Sequence, residues 1–163
     1  MLKKSFYLIL VLFLLVITAF KDNPNNSATN NTVLYSEKDA VRKVVEDSYA
    51  NGAFNKLDTD AMENGFHRDF AIFSPKGEDI RRYPIKAWLA GTKKAKASAN
   101  YDPKKHEYNY NFVSVDVTGK AAAVKIEYSK EEKMVYTDYL LLSKFDSGWK
   151  IVAKVYYSHL MVK

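Results

Sequence analysis

Four β-rich segments crowd the last third of the chain, His106 to Val117, Ala121 to Ser129, Met134 to Phe145 and Trp149 to Ser158, and the links between them are only a few residues long. A parallel pair needs a crossover of about a dozen residues or more, so links this short dictate an antiparallel meander. Thr118-Gly119-Lys120 and Asp146-Ser147-Gly148 read as hairpin turns, and Lys130-Glu131-Glu132-Lys133 as a charged one. Alternation gives two of the strands one dry face each: Ala122, Val124, Ile126 and Tyr128 oppose Lys125 and Glu127, while Ile151, Ala153, Val155 and Tyr157 oppose Lys150 and Lys154. In Met134 to Phe145 the run Leu140-Leu141-Leu142 is apolar on both faces. Periodicity therefore leaves open whether Asp138 or Tyr139 points into the concavity.

A one-sided apolar wall must be covered, and the middle of the chain supplies helices. Ser36 with Asp39 resembles a capping box, and Val41, Val44, Val45 and Tyr49 recur at helical spacing, which predicts a helix over Glu37 to Asn51 ended by Gly52. A second short helix starts at Asp58 or Thr59 with Leu57, Met62 and Phe66 inward and Gly65 at its end. Phe70 to Ser74 reads as a short strand, followed by a turn at Pro75-Lys76-Gly77. Pro84 opens a third helix whose Ile85, Trp88 and Leu89 share a face, with Lys93, Lys94 and Lys96 near its carboxyl end.

The start of the chain is of another kind. Lys3 and Lys4 precede an unbroken apolar run from Phe6 to Ile17, and Ala19 offers a small residue for a peptidase. Residues 1–19 thus read as a secretory signal, too short for the about 20 apolar residues of a membrane span. Residues 20–35 form a polar tether with too little apolar surface to offset the entropy of ordering. That leaves one domain, residues 36–163, in an exported, periplasmic or secreted bacterial protein, with membrane attachment only through an uncleaved leader. Cysteine is absent, which excludes disulfides, thiolate metal sites and a cysteine nucleophile. The formal charge of +6 includes Lys3 and Lys4 of the leader, and the remaining cations are interspersed with acids, so no nucleic-acid surface is expected. His67, His106 and His159 lie far apart with no ligand-spaced pair, so neither a metal nor a cofactor is expected.

The stretch VEDSYANGAFNKLDTDAMENGFHRDFAIFS, Val45 to Ser74, resembles the first two helices and strand entry of the nuclear transport factor 2-like (SnoaL-like) superfamily, with Arg68 where proline is common. YTDYLLLSKFDSGWKIVAKVYY, Tyr136 to Tyr157, is similar to the closing hairpin of its subgroup labelled "putative lumazine-binding". The resemblance spans about Ser36 to His159 and implies an α+β, cystatin-like cone in which amino-terminal helices pack on a strongly curved antiparallel sheet and leave a cavity. Many chemistries sit on that scaffold.

Residues whose side chains could converge in such a cone are Tyr49, His67, Trp88, Tyr128, Tyr139 and Tyr157. Tyr49 ends the apolar stripe of the first helix, where the resemblance implies an oxyanion-stabilising tyrosine in the isomerase relatives. His67 lies at the strand entry, and an imidazole is a side chain suited to acid or base work. Asp138 sits mid-strand in an apolar run, where a carboxylate is costly unless paired. The preferred reading is a binding or dimerising accessory domain that takes a small apolar or aromatic ligand. The alternative is an isomerase, cyclase or dehydratase using His67 or Asp138 as base and Tyr49 as donor. A homodimer through the sheet is compatible with either, with Val152 and Tyr156 as expected outer-face contacts.

Overall fold

The computed structural model describes residues 37–161. The leader, the tether and the Ser36 cap lie outside the described residues.

Helix α1 comprises residues 37–44 in α-helical form and continues as a π-helix over Val45–Asn55. Val41, Val45, Tyr49 and Ala53, four apart throughout, are all buried. The helix does not stop at Gly52. That glycine instead lets α1 approach the next helix, because a Cβ there would sit 3.0 Å from the Asp47 carbonyl oxygen and 3.3 Å from Ala61 Cβ. The wide coil closes when the Lys56 N–H donates to the Asn51 carbonyl at 2.7 Å, a five-residue step. Helix α2, Thr59–Gly65, begins as its sequence predicts: the Asp58 side chain accepts from the Asp60 and Ala61 N–H groups at 3.1 Å.

Strand β1, Phe66–Lys76, is longer than the predicted Phe70 to Ser74, and it turns at Gly77, φ 62°, into β2, Asp79–Pro84. The β2 strand is absent from the sequence reading because Asp79, Ile80, Arg81, Arg82 and Tyr83 are all exposed, and only pairing with β1 makes them a strand. Helix α3, Ile85–Lys96, follows directly, with Pro84 at its amino-terminal cap. A single 3₁₀ turn at Pro103–His106, capped by Asp102, delays the next strand to Asn109.

Strands β3 (Asn109–Thr118), β4 (Ala121–Lys130), β5 (Lys133–Phe145) and β6 (Gly148–Ser158) form the expected antiparallel meander. The full sheet runs β2-β1-β6-β5-β4-β3 and is not closed. It is antiparallel except at one junction, where β1 pairs with β6 in parallel. Those two strands lie far apart in the chain, so α3 and the meander supply the connection that a parallel pair requires. Register shifts in β1, between Phe112 and Ser114, between Tyr128 and Ser129, and between Leu141 and Leu142 bend the strands.

The concave face carries the core. Val41, Val45 and Tyr49 of α1, Met62 of α2, and Phe66 and Phe70 of β1 pack against Val124, Ile126, Tyr128, Leu140, Leu142 and Ile151 of the meander. Each large side chain contributes about 1.5–3 kcal/mol on burial. Glu37 pins the start of α1 to the closing hairpin by accepting from Trp149 Nε1 at 2.7 Å and from the Lys144 ammonium.

Candidate functional site

Between α1, the β1–β2 hairpin, α3 and the concave face of β5 and β6 lies a cavity of about 750 Å³. Rings make its walls: Phe54 from α1, Trp88 from α3, Tyr108 from the approach to β3, and Tyr136 and Tyr156 from the sheet. Phe54 stands edge-on to Tyr108 with centroids 5.7 Å apart and stacks on the buried Tyr128 at 4.4 Å. Ile72 and Leu57 add apolar surface, and Ser74, Arg81, His106 and Ser158 bring polar groups.

Lys154 also lines the cavity, although the alternation of β6 assigns it to the solvent side. The reason is a bulge. Leu141 pairs with Ala153, but Leu142 pairs with Ile151, so Val152 is an extra residue and the face reverses across it. Before the bulge Trp149 and Ile151 point inward; after it Lys154 and Tyr156 do. Val155 and Tyr157, expected inside, are 51% and 56% exposed on the convex face. The outer-face roles expected of Val152 and Tyr156 are corrected on the same ground: Val152 sits at the bulge and Tyr156 lines the cavity.

Lys154 faces a partner that the sequence singled out. Asp138 is fully buried on β5, and its Oδ2 lies 3.2 Å from Lys154 Nζ and accepts from the Tyr49 hydroxyl at 2.5 Å. The question of which β5 residue turns inward is thereby settled for Asp138; Tyr139 is 48% exposed on the other face, near Lys125. The Lys154 ammonium is caged by rings, 4.7 Å from the centroid of Tyr156, 5.1 Å from Tyr49, 5.3 Å from Phe54 and 5.8 Å from Trp88. Cation–π attraction at these distances offsets part of its lost hydration.

Burial dominates the titration of this cluster. Desolvation raises the Asp138 carboxyl, against the opposing pull of Lys154 and of the Tyr49 hydroxyl. Desolvation lowers the Lys154 ammonium, against the pull of Asp138. Tyr49 is pushed well above the usual phenol range by burial first and by the neighbouring Asp138 charge second. A phenol held this firmly protonated is a hydrogen-bond donor.

Two hydroxyls a ring apart have opposite standing. Tyr49 has an acceptor, whereas the Tyr128 hydroxyl is buried without a hydrogen-bond partner among the described residues. Tyr49→Phe is therefore expected to lower the unfolding free energy by about 1–3 kcal/mol, and Tyr128→Phe to leave it unchanged or raise it slightly. Urea titrations of the two variants check this, and equal losses would contradict it.

Of the residues expected in the cone, Trp88 lines the cavity, and Tyr49, Tyr128 and Asp138 are buried against it. Tyr139 and Tyr157 are on the convex face. His67 is not in the cone: it stacks on Phe145 at 4.8 Å, its Nδ1 accepts from the Asp69 N–H at 3.2 Å, and it borders a separate cleft between α2 and α3. The structure thus brings Tyr49 and Asp138 together and leaves His67 apart, because β1 turns successive side chains to opposite faces. The residue missed in the sequence is Lys154, and its one signal was Asp138, a carboxylate in an apolar strand that had to be paired. Among the described residues no group of three or more His, Asp or Glu could hold a metal ion.

This architecture has known counterparts. A nuclear transport factor 2-like protein of unknown function from Shewanella baltica is 23% identical over 77% of this chain and 95% of its own, with a TM-score of 0.61. A second one from Silicibacter pomeroyi is 22% identical over 77% of this chain and 98% of its own, with a TM-score of 0.59. A domain of unknown function with a cystatin-like fold from Nostoc punctiforme is 13% identical over 78% of this chain and 80% of its own, at 0.57. No curated protein matches the chain. The family model described as "Putative lumazine-binding" matches residues 36–157, nearly the whole folded unit. The chain belongs to that family, and its fold is nuclear transport factor 2-like.

Proposed function

We propose that the protein binds a small organic ligand in the cone cavity and acts as a binding domain. The observation that carries this reading is the cavity itself: about 750 Å³, open to solvent, walled by six aromatic side chains and supplied with a few polar groups. Those are the size and lining of a small-molecule site. The family's description names a flat bicyclic heterocycle, and aromatic walls accept flat rings. Asp138 fits the enzyme alternative poorly, since its side chain is fully buried and is not among the residues that line the cavity. Export of the domain is part of the same proposal, on the strength of residues 1–19. Native mass spectrometry of the exported form from its host tests both: a retained small molecule is expected, on a chain starting near Phe20. Ser158→Trp, which places an indole in the cavity, should weaken retention. An empty wild-type protein that no flat aromatic compound stabilises against heat would overturn the binding reading.

A second copy of the chain is the proposed partner for the convex face. There Tyr139 pairs with Val155, Leu141 with Ala153 and Thr137 with Tyr157, so four exposed apolar side chains, Tyr139, Leu141, Val155 and Tyr157, lie on adjoining strands. Exposed apolar surface collected in one place marks an interaction site, and a sheet face can pack on its own twofold copy. Leu141→Lys is expected to convert a dimer to a monomer in sedimentation equilibrium without loss of thermal stability in the monomer. A wild-type chain that sediments as a monomer at high concentration removes this proposal.

A further inference from the structure

The charges around the cavity are all of one sign. Apart from tyrosine hydroxyls, the titratable side chains that line it are Lys154 in its wall and Arg81 and His106. No carboxylate is among the lining residues. Lys154 lines the cavity and Asp138 does not, so the cation is the member of the buried pair on the cavity side. An ammonium has three donors, and one of them is directed to Asp138.

Arg81 is similarly poised. Its Nε donates to Ser74 Oγ at 3.2 Å, which steadies the side chain on β2, and its terminal nitrogens have no hydrogen-bond partner among the described residues. A guanidinium held by Nε presents a fork suited to two oxygens of one planar anion. Between these cations the wall consists of the faces and edges of Phe54, Trp88, Tyr108, Tyr136 and Tyr156.

We propose that the cavity is selective for a flat aromatic carboxylate, whose ring lies among the aromatic walls and whose negative charge is received by the Arg81 guanidinium within the positive field of Lys154. This inference rests on the cavity being a ligand site and adds the class of ligand. A single carboxylate suits the site better than a doubly charged group. Lys154 is already partly neutralised by Asp138, and a second negative charge would lose its hydration with no further buried cation to receive it.

The test compares naphthalene-2-carboxylate with naphthalene-2-carboxamide, equal in shape and different in charge, by calorimetric titration of the full chain. The carboxylate is expected to bind tighter by about tenfold or more, the scale of one charge-assisted hydrogen bond. Arg81→Gln, on an exposed strand, should weaken the carboxylate by about threefold and the carboxamide by less. The triple replacement Tyr49→Phe, Asp138→Val and Lys154→Met, which removes the whole buried polar cluster, should reduce the preference to the about threefold that Arg81 supplies and still admit the carboxamide. Equal affinities in the wild type, or a preference untouched by Arg81→Gln, overturn the anion selectivity while leaving the cavity as a binding site. If neither compound binds, both readings fall together.

Discussion

Replacing Lys154 alone with methionine is expected to lower the unfolding free energy by about 3–5 kcal/mol, the cost of leaving a buried charge without its partner. Asp138 and Lys154 are among the most buried side chains of the protein, with side-chain exposures of 0% and 5%, so solvent cannot compensate for either. The loss depends on pH in a defined direction. Burial already raises the Asp138 carboxyl, and Lys154 is the largest influence pulling it back, so removing Lys154 raises it further. A raised folded-state value gives a contribution to stability that is fully present below the ordinary carboxyl range and is lost as pH rises through the folded value. The Lys154→Met deficit should therefore be smallest in acid and grow toward neutral pH.

Asp138→Asn has the opposite signature. Without the carboxylate, the Lys154 ammonium falls further below the usual lysine range. A lowered folded-state value gives a contribution present above the unfolded value and lost as pH falls through the folded one, so this deficit should shrink as the solution is made alkaline. The triple replacement that makes the cluster apolar should come within about 1 kcal/mol of wild type or exceed it, because two desolvation costs disappear with the attraction they were set against. Urea titrations across pH check all three variants. Deficits that do not vary with pH, or a triple variant no better than Lys154→Met, would show that the pair is not a buried ionic couple.

Gly65→Ala should be nearly as damaging, by about 3 kcal/mol, the upper end of the range for overpacking. A methyl group at Gly65 would lie 2.0 Å from Ser48 Oγ and 2.2 Å from Ser48 Cβ. Turning the Ser48 hydroxyl away gives no relief, since Ser48 is buried on α1 and its Cβ is fixed by the backbone. The helices α1 and α2 meet at this point, so relief requires them to separate, which would open the core around Val45 and Met62. Ser48→Gly removes both clashing atoms at the modest cost of a glycine inside a helix, about 1 kcal/mol. Combined with Gly65→Ala it should recover part of the loss. A thermodynamic cycle with no coupling between the two sites would refute the contact.

Local signals made most of the elements legible. The helices announced themselves by apolar spacing and by Asp58 as a cap, and the meander by its short glycine-bearing turns. Gly119 and Gly148 adopt positive φ, 58° and 102°, as those turns require. Strand β2 was not legible, because Asp79 to Tyr83 are exposed and carry no burial pattern to read. Gly52 misled in the other direction: a residue that commonly ends helices is here needed for the close approach of Ala61 and the Asp47 carbonyl.

Asp138 drew notice as a carboxylate among leucines, and that was sound physics, since an isolated charge there would be too costly to bury. Its partner was hidden. Face assignments propagate along a strand only while the period of two is unbroken, and one extra residue at Val152 reversed every assignment beyond it. Lys154 and Tyr156 moved in, and Val155 and Tyr157 moved out. A bulge is set by how β6 must satisfy β5 and β1 together, so no property of β6 alone discloses it.

What the amino-acid sequence determined by itself was the order of helices and hairpins, the antiparallel meander and the need of Asp138 for a partner, because these follow from turn chemistry, apolar spacing and the cost of burying charge. Only the tertiary structure decided the parallel junction of β1 with β6, the reversal at Val152 and the meeting of Lys154 with Asp138 and Tyr49 beside the cavity. Those features join residues distant in the chain, and their energies exist only once the strands are side by side.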